Sequence, residues 1–165
     1  MNVRFAGRTL QIDDARICYR NFKGLPSDFN AAGNRNFSVI IPDQETADAL
    51  MNDTNQYGVG WNVKISTPRE EGDQPFIHLP IKVKFNDRGP SIYLKSGAKT
   101  IKLEEETVGM LDDIDIRSVD LDIRPYDGEG RFGAFRSAYL SAIWVTQEVD
   151  RFAARMAEEE CPFED

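Results

Sequence analysis

Between Phe76 and Leu103 the chain alternates apolar and polar residues with a period of two: Leu79, Ile81, Val83 and Phe85 on one side, Pro80, Lys82 and Lys84 on the other. Successive side chains of a β-strand point to opposite faces, so such a run folds as a half-buried strand whose lysines share the outward face. Asn86-Asp87-Arg88-Gly89-Pro90 then supplies turn chemistry, and Ser91 to Lys95 reads as the returning strand of a hairpin before Ser96-Gly97-Ala98 breaks it. The stretch holds Lys82, Lys84, Arg88, Lys95, Lys99 and Lys102 against Asp87 alone, a local charge of +5 in a chain whose formal net charge is −8. One lysine on a strand needs no functional explanation, since charged residues routinely guard sheet edges. Clustering with Arg88, Lys95, Lys99 and Tyr93 argues instead for an anion site, and a polyanion engages several of those cations at once.

The same two-residue rhythm recurs along the chain. Asn2 to Phe5 reads as a short strand, and Ala15 to Tyr19 as another with Ile17 and Tyr19 inward. Phe37, Val39 and Ile41 alternate, as do Trp61, Val63 and Ile65, with Trp61 in phase as a core anchor. Val119, Leu121 and Ile123 form a further strand, and Ser137 to Thr146 is apolar on both faces, which predicts burial on both sides. Asp43 is the expected N-cap of a helix over Gln44 to Met51. Further short helices are expected over Glu104 to Leu111 and Glu148 to Ala157. No βαβ alternation is present. The fold class is therefore mainly β: an OB-like antiparallel barrel of about 5–7 strands with two or three short helices. The binding domain is expected over residues 1–150, with a helical end and a disordered acidic interaction tail over 151–165.

A chain of 165 residues, 41% hydrophobic and 29% charged, is long enough to build a core as one domain. No apolar run approaches the roughly 20 residues of a membrane span, and MNVRFAGRTL lacks the apolar centre of a signal peptide, so the expected compartment is the cytoplasm, with no membrane partner. Cys18 and Cys161 are too few and too far apart for a metal cluster, and a disulfide between them is not expected in a reducing compartment. His78 lies between Ile77 and Leu79 with no catalytic partner nearby and reads as a satisfied strand histidine. The glycines of 124–133 match neither a P-loop nor a Rossmann fingerprint and read as a hairpin loop. No enzyme activity, metal or cofactor is expected.

Two segments interleave aromatics with cations, the pattern a platform for unpaired bases requires. Residues 21–37 form a long loop with Phe22, Phe29 and Phe37 beside Lys23 and Arg35, where the phenylalanines either stack on bases or cap the core. Arg131, Phe132, Phe135 and Arg136 repeat the pairing. Lys64, Lys82, Lys84, Arg88, Lys95 and Lys99 are the candidate phosphate ligands. Phe22, Phe29, Tyr93 and Phe132 are the candidate stacking residues, and Arg35, Arg131 and Arg136 suit either role through their planar guanidinium groups. The charge then reverses: residues 104–122 hold eight carboxylates against Arg117, a solvated face without calcium-loop spacing.

The chain ends EEECPFED, with Glu158, Glu159, Glu160, Glu164 and Asp165 around Pro162-Phe163. With GWNVK, PREEGDQPFIHLPIKV, VDLDIRPYDGEG and AYLSAIWVT in the body, the chain resembles the single-stranded DNA-binding proteins of tailed bacteriophages, OB-fold barrels with an acidic C-terminal tail. Bacterial proteins of that function end in an acidic run and a Pro-Phe pair that docks into partner enzymes; here Glu164 and Asp165 follow Phe163. The resemblance implies binding of single-stranded DNA in phage replication or recombination, in the host cytoplasm. It also implies a tail that modulates DNA binding and recruits replication or recombination proteins; a homodimer is compatible with it. Two other readings remain at this level: a virion assembly protein, and an acidic DNA mimic acting through residues 104–122 with Asp112 and Asp113.

Overall fold

The computed structural model describes residues 1–149, so the expected helical end beyond Val149 and all the tail residues, Glu158 to Glu160, Pro162, Phe163, Glu164 and Asp165, lie outside the described residues. The order is β1 (Asn2–Ala6), β2 (Thr9–Ala15), β3 (Ile17–Asn21), β4 (Arg35–Ile40), α1 (Gln44–Asn52), β5 (Lys64–Ser66), β6 (Phe76–Val83), β7 (Ser91–Ser96) and β8 (Lys99–Leu103). A 3-10 turn (Val108–Asp112), β9 (Ile116–Gly130) and β10 (Gly133–Gln147) follow. The strands form one sheet in the order β1-β2-β9-β10-β6-β4-β3, with β5 added to β6 and the β7–β8 hairpin to β10. Pairing is antiparallel except where β10 runs parallel to β6 at Tyr139↔Lys82 and to β7 from Ala142↔Ser91 to Thr146↔Lys95. The mainly β class expected from the alternation is the one found, consistent with an OB-like fold; the sheet is not closed and carries more strands than the pattern suggested.

The core is built from the inward rows of these strands: Leu10 and Ile12, Phe37 and Val39, Leu79 and Ile81, Ile92 and Leu94, Leu121 and Ile123, Ile143 and Val145. Asp43 caps α1 as the sequence indicates, its Oδ1 accepting the Thr46 N–H at 2.7 Å, and α1 buries Ala47 and Leu50 against this core. Trp61 is buried, but the strand expected around it is shorter: β5 begins at Lys64 and leaves Ile65 exposed. Over Glu104 to Leu111 the chain makes a turn and then the 3-10 segment instead of an α-helix, because Thr107, Val108 and Gly109 are weak helix formers in succession.

Three local departures from the sequence reading shape the outer face. First, Ser137 to Thr146 is not buried on both sides. A register shift between Leu140 and Ala142 places Ser141 in a bulge, so Ala138 and Leu140 before it and Ile143 and Val145 after it all face the core. Tyr139 and Trp144 are thereby left on the outer face. Second, residues 124–133 are strand rather than loop: β9 and β10 pair as far as Gly130↔Gly133 around a two-residue turn at Arg131-Phe132. The Phe135 ring packs over Gly128, where a Cβ would lie 2.9 Å from its Cζ. Third, Tyr19 points outward, at φ 51° within a register shift between Cys18 and Asn21, so the inward alternation of β3 fails after Ile17.

Candidate nucleic-acid interface

The outward residues of β4, β6 and β10 line a groove of about 750 Å³, walled on one side by the loop that joins β3 to β4. The loop is built rather than loose. Gly33 N–H donates to Gly24 O at 2.8 Å, and the Asn30 side-chain amide donates to Leu25 O and Asn34 O while its oxygen accepts from Asn36 Nδ2. This holds Phe29 on the groove rim with its ring fully in solvent at 101% exposure. Two amide-bearing side chains, Asn34 and Asn36, line the groove below it.

Lys82 and Lys84 enter from β6 and the residue just past it, on the outward phase that the alternation required. Among the described residues neither lysine takes part in an ion pair, so both charges are available to a ligand. Lys82 Nζ lies 3.5 Å from Ser137 Oγ and 5.8 Å from the centre of the Tyr139 ring, next to Tyr126. Arg35 lies across the groove with its guanidinium 5.5 Å from the centre of the Phe85 ring. Its Nε donates to Phe22 O at 3.0 Å and its Nη1 to Glu105 Oε1 at 3.2 Å, which leaves part of the fork free. Two lysines without carboxylate partners among the described residues, an arginine with part of its fork free, a tyrosine and a phenylalanine on the floor, a free phenylalanine on the rim and several amides make a surface suited to a flexible polyanion with flat rings.

Of the residues expected from the sequence, the groove brings together Phe29, Arg35, Lys82, Lys84 and Arg136. Two of the expected roles are corrected. Phe22 is 0% exposed and stacks on Phe37 at 5.1 Å, so it caps the core and no base can reach it. Arg136, although it borders the groove, has a side chain only 7% exposed, and its donors are spent on Asp127 and Asp53 O. Lys64 stands on β5 opposite His78, and Arg88 lies on the turn between β6 and β7. Tyr93, Lys95 and Lys99 belong to the β7–β8 hairpin, where Tyr93 stacks on Trp144 at 6.0 Å. Arg131 and Phe132 form the tip of the β9–β10 hairpin, with Phe132 98% exposed. None of these lines the groove.

Sequence reasoning missed Tyr139, Phe85, Asn30, Asn34, Asn36 and Ser137. Tyr139 was hidden by the bulge, and Phe85 continues the inward phase of β6 although the strand ends at Val83. The asparagine density of 30–36 was the available signal for the others. The acidic segment is less free than its composition suggests: Asp112 accepts the N–H groups of Phe22 and Lys23, Asp113 pairs with Lys23 at 2.7 Å, and Asp120 accepts the Asp14 N–H. Asp112 and Asp113 thus tie the 3-10 turn to the β3–β4 loop, although the Asp113 side chain stays exposed.

The contrast between Phe22 and Phe29 gives a direct test of the placement. Phe22→Ala is expected to cost about 3–5 kcal/mol in urea unfolding, as for a fully buried aromatic. Phe29→Ala should leave unfolding within about 0.5 kcal/mol of the parent. Equal losses would put both rings in the core.

No curated protein matches the chain significantly. The structure is similar to the single-stranded DNA-binding protein from bacteriophage Enc34 in complex with ssDNA, with TM-score 0.55 and 11% identity, covering 88% of this chain and 89% of that one. It is also similar to a C-terminal truncation of the Enc34 protein, with TM-score 0.51 and 11% identity over 87% and 88% of the two chains. At this identity the likeness shows a shared fold. The model of the phage ssDNA-binding domain matches residues 2–165, and the chain belongs to that family.

Proposed function

We propose that the protein binds single-stranded DNA through the β4–β6–β10 groove without strong sequence preference. The observation that carries this reading is the pair Lys82 and Lys84, unpaired in the described residues, beside Tyr139, Phe85 and Phe29 in one open groove. Lysines meet phosphates as point charges, and aromatic faces accept any base, so neither contact encodes sequence. Family membership and the DNA-bound Enc34 neighbour support the choice of ligand. The role suited to such a protein is protection and presentation of single strands in phage replication or recombination, in the host cytoplasm, as a binding protein rather than an enzyme.

Fluorescence anisotropy with a labelled single-stranded oligonucleotide, its duplex, and a salt series tests this. Binding that prefers the single strand and weakens steeply with salt is expected. No binding at low salt, with or without the tail, would remove the reading.

The terminal segment Glu158 to Asp165 adds five negative charges and the Pro162-Phe163 pair. It acts in this proposal as a competitor for the groove that, when DNA displaces it, is offered to replication or recombination proteins. Deleting residues 158–165 is then expected to tighten binding several-fold at low salt and little at high salt, because competition between exposed charges is screened over a Debye length of about 10 Å at 0.1 M. Unchanged affinity across the series would sink the competition.

A further inference from the structure

Tyr19 is an aromatic residue at φ 51°, a backbone region that costs a non-glycine residue free energy, yet its ring is 65% exposed and contributes little to the core. The register shift between Cys18 and Asn21 turns it onto the outer face of the sheet. There it meets two side chains of β6, lying 5.3 Å from His78 with the rings at 71° and 6.1 Å from Phe76 at 83°. Phe76 and His78 are themselves 5.4 Å apart. The three rings form a cluster open to solvent that the fold of the core does not require.

Its position is not arbitrary. Phe76 and His78 belong to the same outward row of β6 as Pro80 and Lys82, which line the groove. Ser38, another groove residue, shares a 3.0 Å hydrogen bond with His78 Nδ1 and fixes the ring. Lys64 faces His78 from β5, adding a cation on the same face. Lys82 lies four steps along the strand from His78, a distance of about 13 Å at strand rise, or about four nucleotides at stacked spacing.

We propose that Tyr19, Phe76 and His78, with Lys64 beside them, form a second base-stacking subsite for single-stranded DNA that extends the groove along β6, so that one strand occupies both. This rests on the groove reading above. The occupant is argued from continuity with the groove, from rings whose faces and edges suit any nucleobase, and from a cation placed for the neighbouring phosphate.

The experiment uses the full chain and labelled oligothymidines of about 4 and about 12 nucleotides, within the range one such fold covers. In Tyr19→Ala the longer oligonucleotide is expected to lose about tenfold in affinity, the effect of removing one stacking partner, with the shorter one unchanged. Tyr19→Gly, which relieves the backbone, should show the same loss while keeping or raising the melting temperature. Photocrosslinking with 5-iodouracil in the longer oligonucleotide should label the peptides carrying Tyr19 or His78. Unchanged affinity for the longer oligonucleotide in both variants overturns the subsite while the groove stands. An equal loss on both lengths with a lowered melting temperature also overturns it, in favour of a structural role. Failure of the parent protein to bind either length removes the groove reading itself, and the subsite with it.

Discussion

Replacing Arg136 by alanine is expected to lower the free energy of unfolding by about 3–5 kcal/mol, the loss seen when one partner of a buried ion pair is removed. The side chain lies in a cage that leaves little of it exposed. Nε donates to Asp127 Oδ1 at 2.7 Å and Nη2 to Oδ2 at 3.3 Å, the bidentate geometry of a carboxylate and a guanidinium fork. Nη1 donates to Asp53 O at 2.7 Å, and the guanidinium lies 5.0 Å from the centre of the Trp61 ring. Trp61 Nε1 in turn donates to Asp53 Oδ2, and Asn55 Nδ2 to Asp127 Oδ1. The network therefore joins the β9–β10 hairpin to the segment after α1, and truncating Arg136 leaves the buried Asp127 carboxylate with Asn55 but without the guanidinium, and removes the side-chain donor to the Asp53 carbonyl. A Gly- and charge-rich hairpin with few core side chains of its own depends on this brace. The double variant Asp127→Leu/Arg136→Met should recover much of the loss, since two apolar groups leave no buried charge behind. Arg136→Lys should remain destabilised while the salt dependence of DNA binding stays unchanged, because the charge serves the hairpin and not a phosphate. A urea midpoint for Arg136→Ala equal to that of the parent would refute the brace.

The same network sets a pH dependence with a definite sign. The hydrogen bond from Arg136 holds the Asp127 carboxyl below its ordinary pKa, helped by Asn55 and by the charges of Arg136 and Arg8, against the opposing effect of burial. A carboxylate whose folded pKa is depressed contributes stability that is fully present above the unfolded value of about 3.9 and is lost as the pH falls through the lower folded value. The stability gap between the parent and Arg136→Ala should accordingly be constant near neutrality and close as the pH drops below about 4. A gap that widens in acid would contradict this assignment.

How much of this was legible in the sequence depended on whether local periodicity survived folding. The row Leu79, Ile81, Val83 and the outward Lys82 and Lys84 were readable because β6 runs without a bulge, so period two transfers directly to the sheet. The Asp43 cap was readable because capping is a local interaction over three residues. Ser137 to Thr146 was not, because the bulge at Ser141 changes the phase in mid-strand and an apolar row on both faces looks the same as a strand buried twice. Tyr19 was misread for a related reason: its left-handed backbone ends the alternation begun by Ile17, and no glycine or asparagine at that position marks the change. The cation and aromatic inventory rests on composition and is blind to partners. Phe22 and Phe29 carry the same composition signal seven residues apart, and only the topology places one against Phe37 and the other in solvent. Arg136 was indistinguishable from Arg35 until Asp127, its partner nine residues earlier in the chain and across the hairpin, came into register.

The largest functional effect is expected from removing Lys82 and Lys84 together. Each phosphate contact to a single strand contributes about 0.7 to the slope of log affinity against log salt. The double variant Lys82→Ala/Lys84→Ala should therefore flatten that slope by about 1.4 and weaken binding at low salt by one to two orders of magnitude. Both side chains are exposed and outside the ion pairs of the described residues, so thermal unfolding should move little, within about 0.5 kcal/mol. A drop in net charge could by itself weaken binding to any polyanion, and the protein contains its own control for this. Lys95→Ala/Lys99→Ala makes the same change in charge on the β7–β8 hairpin, which does not line the groove. If the groove holds the strand, the first pair loses affinity and slope and the second loses far less. If both pairs lose equally, the interaction is a diffuse attraction to the basic ribbon as a whole, and the β4–β6–β10 groove is not the place where DNA binds.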